Sequence, residues 1–215
     1  MDRLNYITSL LSEYKTIADV GTDHGFVPIK AILDYNLDYA YALDVNEGPL
    51  INAKKNIDEK GLNKRIETIL SDGLKEFDRV VDAIVIAGMG GSLIKKILND
   101  SLEKAKMANA LILSPNKEEN VLREFLFTNG FNIVFENIIY DKGHFYEIIK
   151  AIPQKPLNYN DLDILYGPFL RKEKSKKFIS KWQNKLKVLE YAYLKCADDK
   201  KIDLENKINM IKEIL

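Results

Sequence analysis

Apolar residues in this chain alternate between two textures. Short continuous runs rich in Ile, Val, Leu and Ala occur at 17–20, 39–45, 66–70, 81–87 and 110–113. Between most of these runs, apolar positions recur every three or four residues, which predicts helices over 28–35, 49–60, 93–106 and 118–129. Pro28 near one helix start, and Gly61 and Gly130 just past two helix ends, punctuate the pattern as helix boundaries require. Leu4, Ile7, Leu10 and Leu11 predict a further amphipathic helix over 1–13. Strands that read as unbroken apolar runs, each followed by a helix, must be covered on both faces. The expected fold is therefore α/β, a doubly wound and mostly parallel sheet.

The stretch FNIVFENIIYDKGHFYEIIKAI, residues 131–152, departs from that alternation. Its two strand-like runs meet at Asp141-Lys142-Gly143 with no room for a crossover helix, so a terminal β-hairpin is expected. Five β/α units closed by a hairpin make seven strands, one of them antiparallel. Past Pro153 and Pro156 the texture changes again. Ile179, Trp182, Leu186, Leu189 and Tyr193, then Leu204, Ile208, Ile211 and Leu215, repeat at three- and four-residue intervals. Two helices joined through the polar stretch 198–201 follow, either as an antiparallel hairpin (a short coiled coil) or as a pair packed on the main domain. The expected division is 1–156 and 157–215.

Composition narrows the class. The chain has 215 residues, 46% of them hydrophobic and 30% charged, ordinary values for a globular protein. No apolar run nears the roughly 20 residues that span a bilayer, and the first residues lack a basic-then-apolar leader. The single cysteine, Cys196, excludes an intramolecular disulfide and a multi-thiolate metal site. A cytoplasmic protein without a metal or membrane partner is expected, as a monomer or weak homodimer. Charge is balanced overall but not locally: residues 1–149 hold 17 Lys and Arg against 23 Asp and Glu, and residues 150–215 hold 15 against 9. The excess peaks in RKEKSKKFISKWQNKLK, residues 171–187. Such a stretch is either a solvated helix face or a footprint for a polyanion.

Candidate chemistry sits at the strand ends. Asp19-Val20-Gly21-Thr22-Asp23-His24-Gly25 follows the first strand and fits D-x-G-x-G-x-G with Asp23 in the place of the middle glycine. Gly21 permits a tight turn and close backbone approach to a ligand. A dinucleotide would bring a pyrophosphate there, and a desolvated carboxylate repels it. S-adenosylmethionine instead brings an ammonium and a sulfonium, which Asp23 suits. Read alone, Asp23 is equally a helix cap. Asp44 ends the second strand, 23 residues after Gly21, where an acid holds a ribose diol or simply makes a turn. Asp72 and Gly73 follow the third strand, where a carboxylate can accept from an adenine amine or serve a turn. Ala87, Gly88 and Met89, in IAGMGG after the fourth, offer close backbone and an apolar wall. A nicotinamide enzyme would need glycine near position 26, where Phe26 stands.

With these motifs in view, the sequence resembles the bacterial tRNA adenine-22 N1-methyltransferase family. ADVGTDHGFVPI, NEGPL, SDGL, IVIAGMGGSLI, LSPN, YDKGHFYEI and YGPFL carry the likeness, in order from about residue 16 to 170. Ser114 departs from the pattern, which has glutamine there. The resemblance implies a Rossmann-like S-adenosylmethionine-dependent methyltransferase with a C-terminal coiled coil, acting on N1 of a tRNA adenine. It implies a cofactor site at Asp19, Gly21, Thr22, Asp23, His24, Gly25, Asp44, Asp72, Gly73, Ala87, Gly88 and Met89. Asn116 becomes a candidate for the edge of a flipped base, or a cap for the next helix. His24 and Tyr146 become candidate catalytic residues, each with a packing alternative, and Tyr146 and Glu147 should face opposite ways. Arg171, Lys172, Lys174, Lys176, Lys177 and Lys181 become candidate tRNA contacts. The same cofactor acting on another RNA, a small molecule or a protein is the alternative, and a non-catalytic scaffold built on the helix pair is a third reading.

Overall fold

The computed structural model describes residues 2–215, Asp198 by its backbone alone; Met1, at the edge of the first expected helix, lies outside the described residues. The chain runs α1 (Arg3–Ser9), β1 (Thr16–Val20), α2 (Phe26–Tyr35), β2 (Tyr39–Asp44), α3 (Glu47–Glu59), β3 (Ile66–Leu70) and β4 (Ala83–Ala87). It continues through α4 (Gly91–Asp100), α5 (Leu102–Met107), β5 (Ala110–Ser114), α6 (Glu119–Thr128), β6 (Phe131–Asp141) and β7 (His144–Pro153). Four helices close it: α7 (Asp161–Tyr166), α8 (Pro168–Glu173), α9 (Lys176–Lys195) and α10 (Asp198–Ile214).

The strands form one seven-stranded sheet in the order β3-β2-β1-β4-β5-β7-β6. The first five are parallel, and β7 is antiparallel to both β5 and β6. Lys142 and Gly143, both at positive φ, make the two-residue turn that reverses the hairpin. Apolar runs put side chains on both faces. From β4, Ile84 and Ile86 join Ile94, Leu98, Leu122 and Phe125 in a cluster under α4 and α6. Ala83 and Val85 join Ile7, Ile29, Ile32 and Ile57 in a second cluster under α1, α2 and α3. Three layers result, with the strand order reversing between β1 and β4.

Two helical expectations need correction. The helix expected over 93–106 is two, because Ser101 leaves helical geometry (φ −138°, ψ 41°) between α4 and α5. The basic stretch 171–187 is likewise broken, because Lys174 takes a left-handed conformation at the end of α8 and Ser175 caps α9. The polar stretch 198–201 is the first turn of α10, so the helix pair is joined at Cys196 and Ala197.

The C-terminal helices share a core with the sheet. Ile138 of β6 is buried with Tyr166, Leu170, Phe178 and Ile211, across the expected boundary at 156/157. A buried ion network reinforces the joint. Arg123 of α6 donates to Glu136 at 2.7 Å and also to Glu147. Lys181 of α9 donates to Glu147 at 2.6 Å and to Glu119 at 2.9 Å. The Phe169 amide of α8 donates to the second oxygen of Glu136 at 3.0 Å. Against the cost of burial, Arg123 and Lys181 hold the Glu147 carboxyl below the usual range. Among the described residues no helix is long and apolar enough to cross a membrane.

Candidate active site

The site lies at the carboxyl edge of the sheet, where the order reverses and ligands of such folds bind. The chain leaves β1 through Gly21 at φ +77°, and the amides of Gly21 and Thr22 both donate to Leu43 at 2.8 Å. A Cβ on Gly21 would lie 2.0 Å from Met89 Cε. Glycine is required there by the backbone conformation; the Met89 methyl, at the end of a flexible side chain, could swing aside. Gly91 is required by close approach alone: its Cβ would meet the Glu118 carbonyl oxygen at 2.1 Å. That approach packs the start of α4 against the loop after β5.

Two cavities open on this edge and meet at Gly21. The smaller, about 220 Å³, is lined by Asp44, Asn46, Ser71, Asp72, Gly73, Met89 and Ile97. The larger, about 400 Å³, is lined by Arg3, Asp19, Asp23, Phe26, Ala87, Gly88 and Asp141 among others. Strand-end acids thus divide between two compartments: Asp44 and Asp72 on the β2/β3 side, Asp19 and Asp23 on the β1/β4 side.

The chemistry of the two compartments differs. Burial pushes the Asp19 carboxyl up to about 7, only partly offset by the neighbouring Thr22 hydroxyl and reinforced by the Asp44 charge. Thr22 Oγ1 is itself buried without a hydrogen-bond partner of normal geometry. A buried carboxyl with no cation and an orphaned hydroxyl are what a cationic ligand would complete. Asp23 is exposed and lies on the wall of the larger cavity. Asp44 accepts from the Asn46 amide at 2.8 Å through one oxygen and lines the smaller cavity. Asp72 is paired with Lys75, which holds its carboxyl below the usual range.

His24 sits differently from expectation. It takes a positive φ, stacks on Phe26 with ring centroids 5.3 Å apart, and places Nε2 3.3 Å from Asp23. The lining of neither cavity includes it. Gly25 caps α2. His24 thus meets the larger cavity through its two contacts, Asp23 and Phe26, which both line it.

Just after β5, Asn116 lines a separate cavity of about 450 Å³ with Lys117, Phe145, Lys181 and Trp182, and hydrogen bonds tie it to Gly88 and Arg3 on the wall of the larger of the two cavities at Gly21. Its amide nitrogen donates to the Met89 carbonyl at 2.8 Å, and its side-chain Nδ2 donates to the Gly88 carbonyl at 2.6 Å. It does not cap α6, whose N-cap is Glu118. Its Oδ1 accepts from Arg3 Nη1 at 3.1 Å. The Arg3 guanidinium also reaches the Ser114 hydroxyl and carbonyl, and lies 4.3 Å above the Tyr146 ring. Tyr146 and Glu147 do face opposite ways: Tyr146 meets Arg3, and Glu147 is buried against Arg123. Arg3 is the site residue that sequence reasoning missed. Nothing local marks it, because its partners lie 111 and 113 positions away.

Of the candidate tRNA contacts, Lys172, Lys174, Lys176 and Lys177 are exposed. Arg171 and Lys181 are corrected: Arg171 is paired with Asp163, and Lys181 is held between Glu119 and Glu147. Their charge fastens α8 and α9 in place and is not free for phosphate.

Sheet order, glycine turn and the divided carboxylates together define a Rossmann-like S-adenosylmethionine-dependent methyltransferase. The comparisons agree. The chain belongs to the tRNA (adenine(22)-N(1))-methyltransferase family, whose model matches residues 17–213. It is 31% identical to the Bacillus subtilis tRNA (adenine(22)-N(1))-methyltransferase, over 99% of this chain and 95% of that protein. Sp1610 of Streptococcus pneumoniae in complex with S-adenosyl-L-methionine superposes with a TM-score of 0.92 at 38% identity, covering 100% of both chains. The M. capricolum TrmK structure with S-adenosyl-homocysteine gives 0.88 at 29%, over 98% of this chain and 95% of that one.

Proposed function

We propose that this chain transfers a methyl group from S-adenosylmethionine to N1 of adenine 22 in tRNA. The carrying observation is the pair of cavities that meet at Gly21, each with its own strand-end acids. When bound, the cofactor supplies an electrophilic methyl on a sulfonium. The smaller cavity suits its adenosine, with Asp44 at the ribose and Asp72 at the adenine amine. The larger suits its cationic end, which would give Asp19 and Thr22 the partner they lack. The target base then enters from the side of Gly88 and Asn116.

Adenine N1 carries an in-plane lone pair, so the chain need supply neither nucleophile nor strong base. Its residues position the base and exclude water, which accounts for large rate factors. The base must be turned out of the folded RNA, at a few kcal/mol. Asn116 Oδ1 can accept from its N6 amine, and Asp141 at the cleft mouth offsets the positive charge the base acquires. Lys172, Lys174, Lys176 and Lys177 offer phosphate contacts along α8 and α9. A single chain carries both cavities and the basic helices, which supports a monomer or weak homodimer working where tRNA is, in the cytoplasm. The test is methyl transfer from labelled cofactor to unmodified bacterial tRNA, with tRNA carrying guanine at position 22 as control. Transfer to the first and not the second is expected; equal labelling, or none, would refute the reading.

A further inference from the structure

Methylation at N1 sets a requirement on whatever reads the adenine. A hydrogen-bond donor aimed at N1 would occupy the lone pair that must attack. The edge has to be recognised through its N6 amine, by an acceptor. Asn116 carries one acceptor and one donor, so the direction of its amide decides whether it helps or blocks.

That direction is fixed from two sides. Nδ2 donates to the Gly88 carbonyl at 2.6 Å, and Oδ1 accepts from Arg3 Nη1 at 3.1 Å. A guanidinium has donors only and a carbonyl has lone pairs only. Turning the amide over would set donor against donor and acceptor against acceptor. Arg3 is itself held in place. Its Nε donates to Ser114 Oγ at 3.1 Å, its Nη2 donates to the Ser114 carbonyl at 2.7 Å, and its plane lies on Tyr146. Ser114 Oγ gives its own proton to the Glu147 carbonyl, 3.1 Å away, and so presents a lone pair to Arg3. Arg3 also forms part of the wall of the larger cavity, together with Gly88.

We infer that Arg3 is a positioning residue for base selection: it locks the Asn116 amide with Oδ1 as the acceptor for N6, leaving N1 free to attack. Guanine, with a carbonyl oxygen at the corresponding position, meets a second acceptor and is repelled. The inference rests on the methyl-transfer reading above and adds how the adenine is recognised.

The test compares tRNA carrying adenine with tRNA carrying purine riboside, which lacks N6, at the target position. Wild type, Arg3→Ala and Arg3→Lys are compared at equal folded fraction. For the wild type, loss of one hydrogen bond to N6 should lower kcat/KM on the purine tRNA by about tenfold or more. In Arg3→Ala, assayed at saturating cofactor, the activity on adenine falls and the adenine-to-purine ratio shrinks to about threefold or less. Arg3→Lys, which keeps a donor for Asn116, recovers part of the ratio. A wild-type ratio in Arg3→Ala, a defect explained wholly by lost cofactor affinity, or a lysine variant no better than alanine overturns the inference. No transfer to tRNA by the wild type would instead overturn the functional reading on which it rests.

Discussion

Two groups of buried charge lie on opposite sides of β5, and they are built on opposite principles. Around Arg123, each charge faces an opposite one: Glu136 and Glu147 take the guanidinium, and Lys181 takes the other oxygen of Glu147. Around Gly21, Asp19 is buried with only the Thr22 hydroxyl to offset its charge, and another acid, Asp44, adds to the cost. The first group completes itself and fastens the C-terminal helices to the sheet. The second is left incomplete, and it lies on the rim where the sheet order reverses.

The contrast breaks most visibly in stability. Arg123→Ala leaves two buried carboxylates facing each other and should cost about 3–5 kcal/mol in urea unfolding. Asp19→Asn at pH 8 should leave the cofactor-free protein as stable or more so, because it removes a buried charge that no cation compensates. Equal losses in the two variants would erase the distinction.

Next in size is Gly21→Ala. A side chain at φ +77° is strained, and its Cβ would displace the Met89 methyl. The expected stability cost is about 1–2 kcal/mol. Because the two cavities meet at this residue, calorimetric affinity for S-adenosylmethionine should fall as well. Unchanged affinity would take the glycine turn out of the cofactor site.

These sites were unequally legible in the sequence. Asp19, Asp44 and Asp72 could be read because each lies at or just past the end of an apolar run, and a strand of known direction puts its end on a known rim. The hairpin was legible because Asp141-Lys142-Gly143 is too short for anything but a tight reversal. The break at Lys174 was not, since the only local sign is Ser175, whose hydroxyl accepts from the Phe178 amide at 3.3 Å. Helices α7 and α8 are six residues each, too short for periodicity to announce them. A capping box from Asn160 to Asp163 marks one, and Gly167-Pro168 opens the other. Charge is the least legible property. Lys177 and Lys181 are one helical turn apart and identical in sequence terms, yet one is exposed and the other is half-buried between two glutamates.

That pair gives a smaller and sharper test. Lys176→Glu with Lys177→Glu should raise the KM for tRNA several-fold and flatten its salt dependence by roughly one unit of slope for each phosphate no longer neutralised. Lys181→Met should lower stability and leave the salt slope as it was. A flattened slope in Lys181→Met would return that residue to the RNA surface.

The most direct measurement concerns Asp19. A free aspartate titrates at 3.8 and this one near 7, so between those values the folded chain holds the extra proton, and cofactor-free stability falls as pH rises through that window. Binding a cation beside it favours the ionised form, so S-adenosylmethionine should bind more tightly as pH rises from 6 to 7.5. At pH 6, where the cofactor's ammonium is already charged, binding should release a proton, read by calorimetry in buffers of different ionisation enthalpy. Asp19→Asn should bind more weakly and release none. Proton-neutral binding at pH 6 by the wild type, with the same affinity at pH 7.5, would contradict the account.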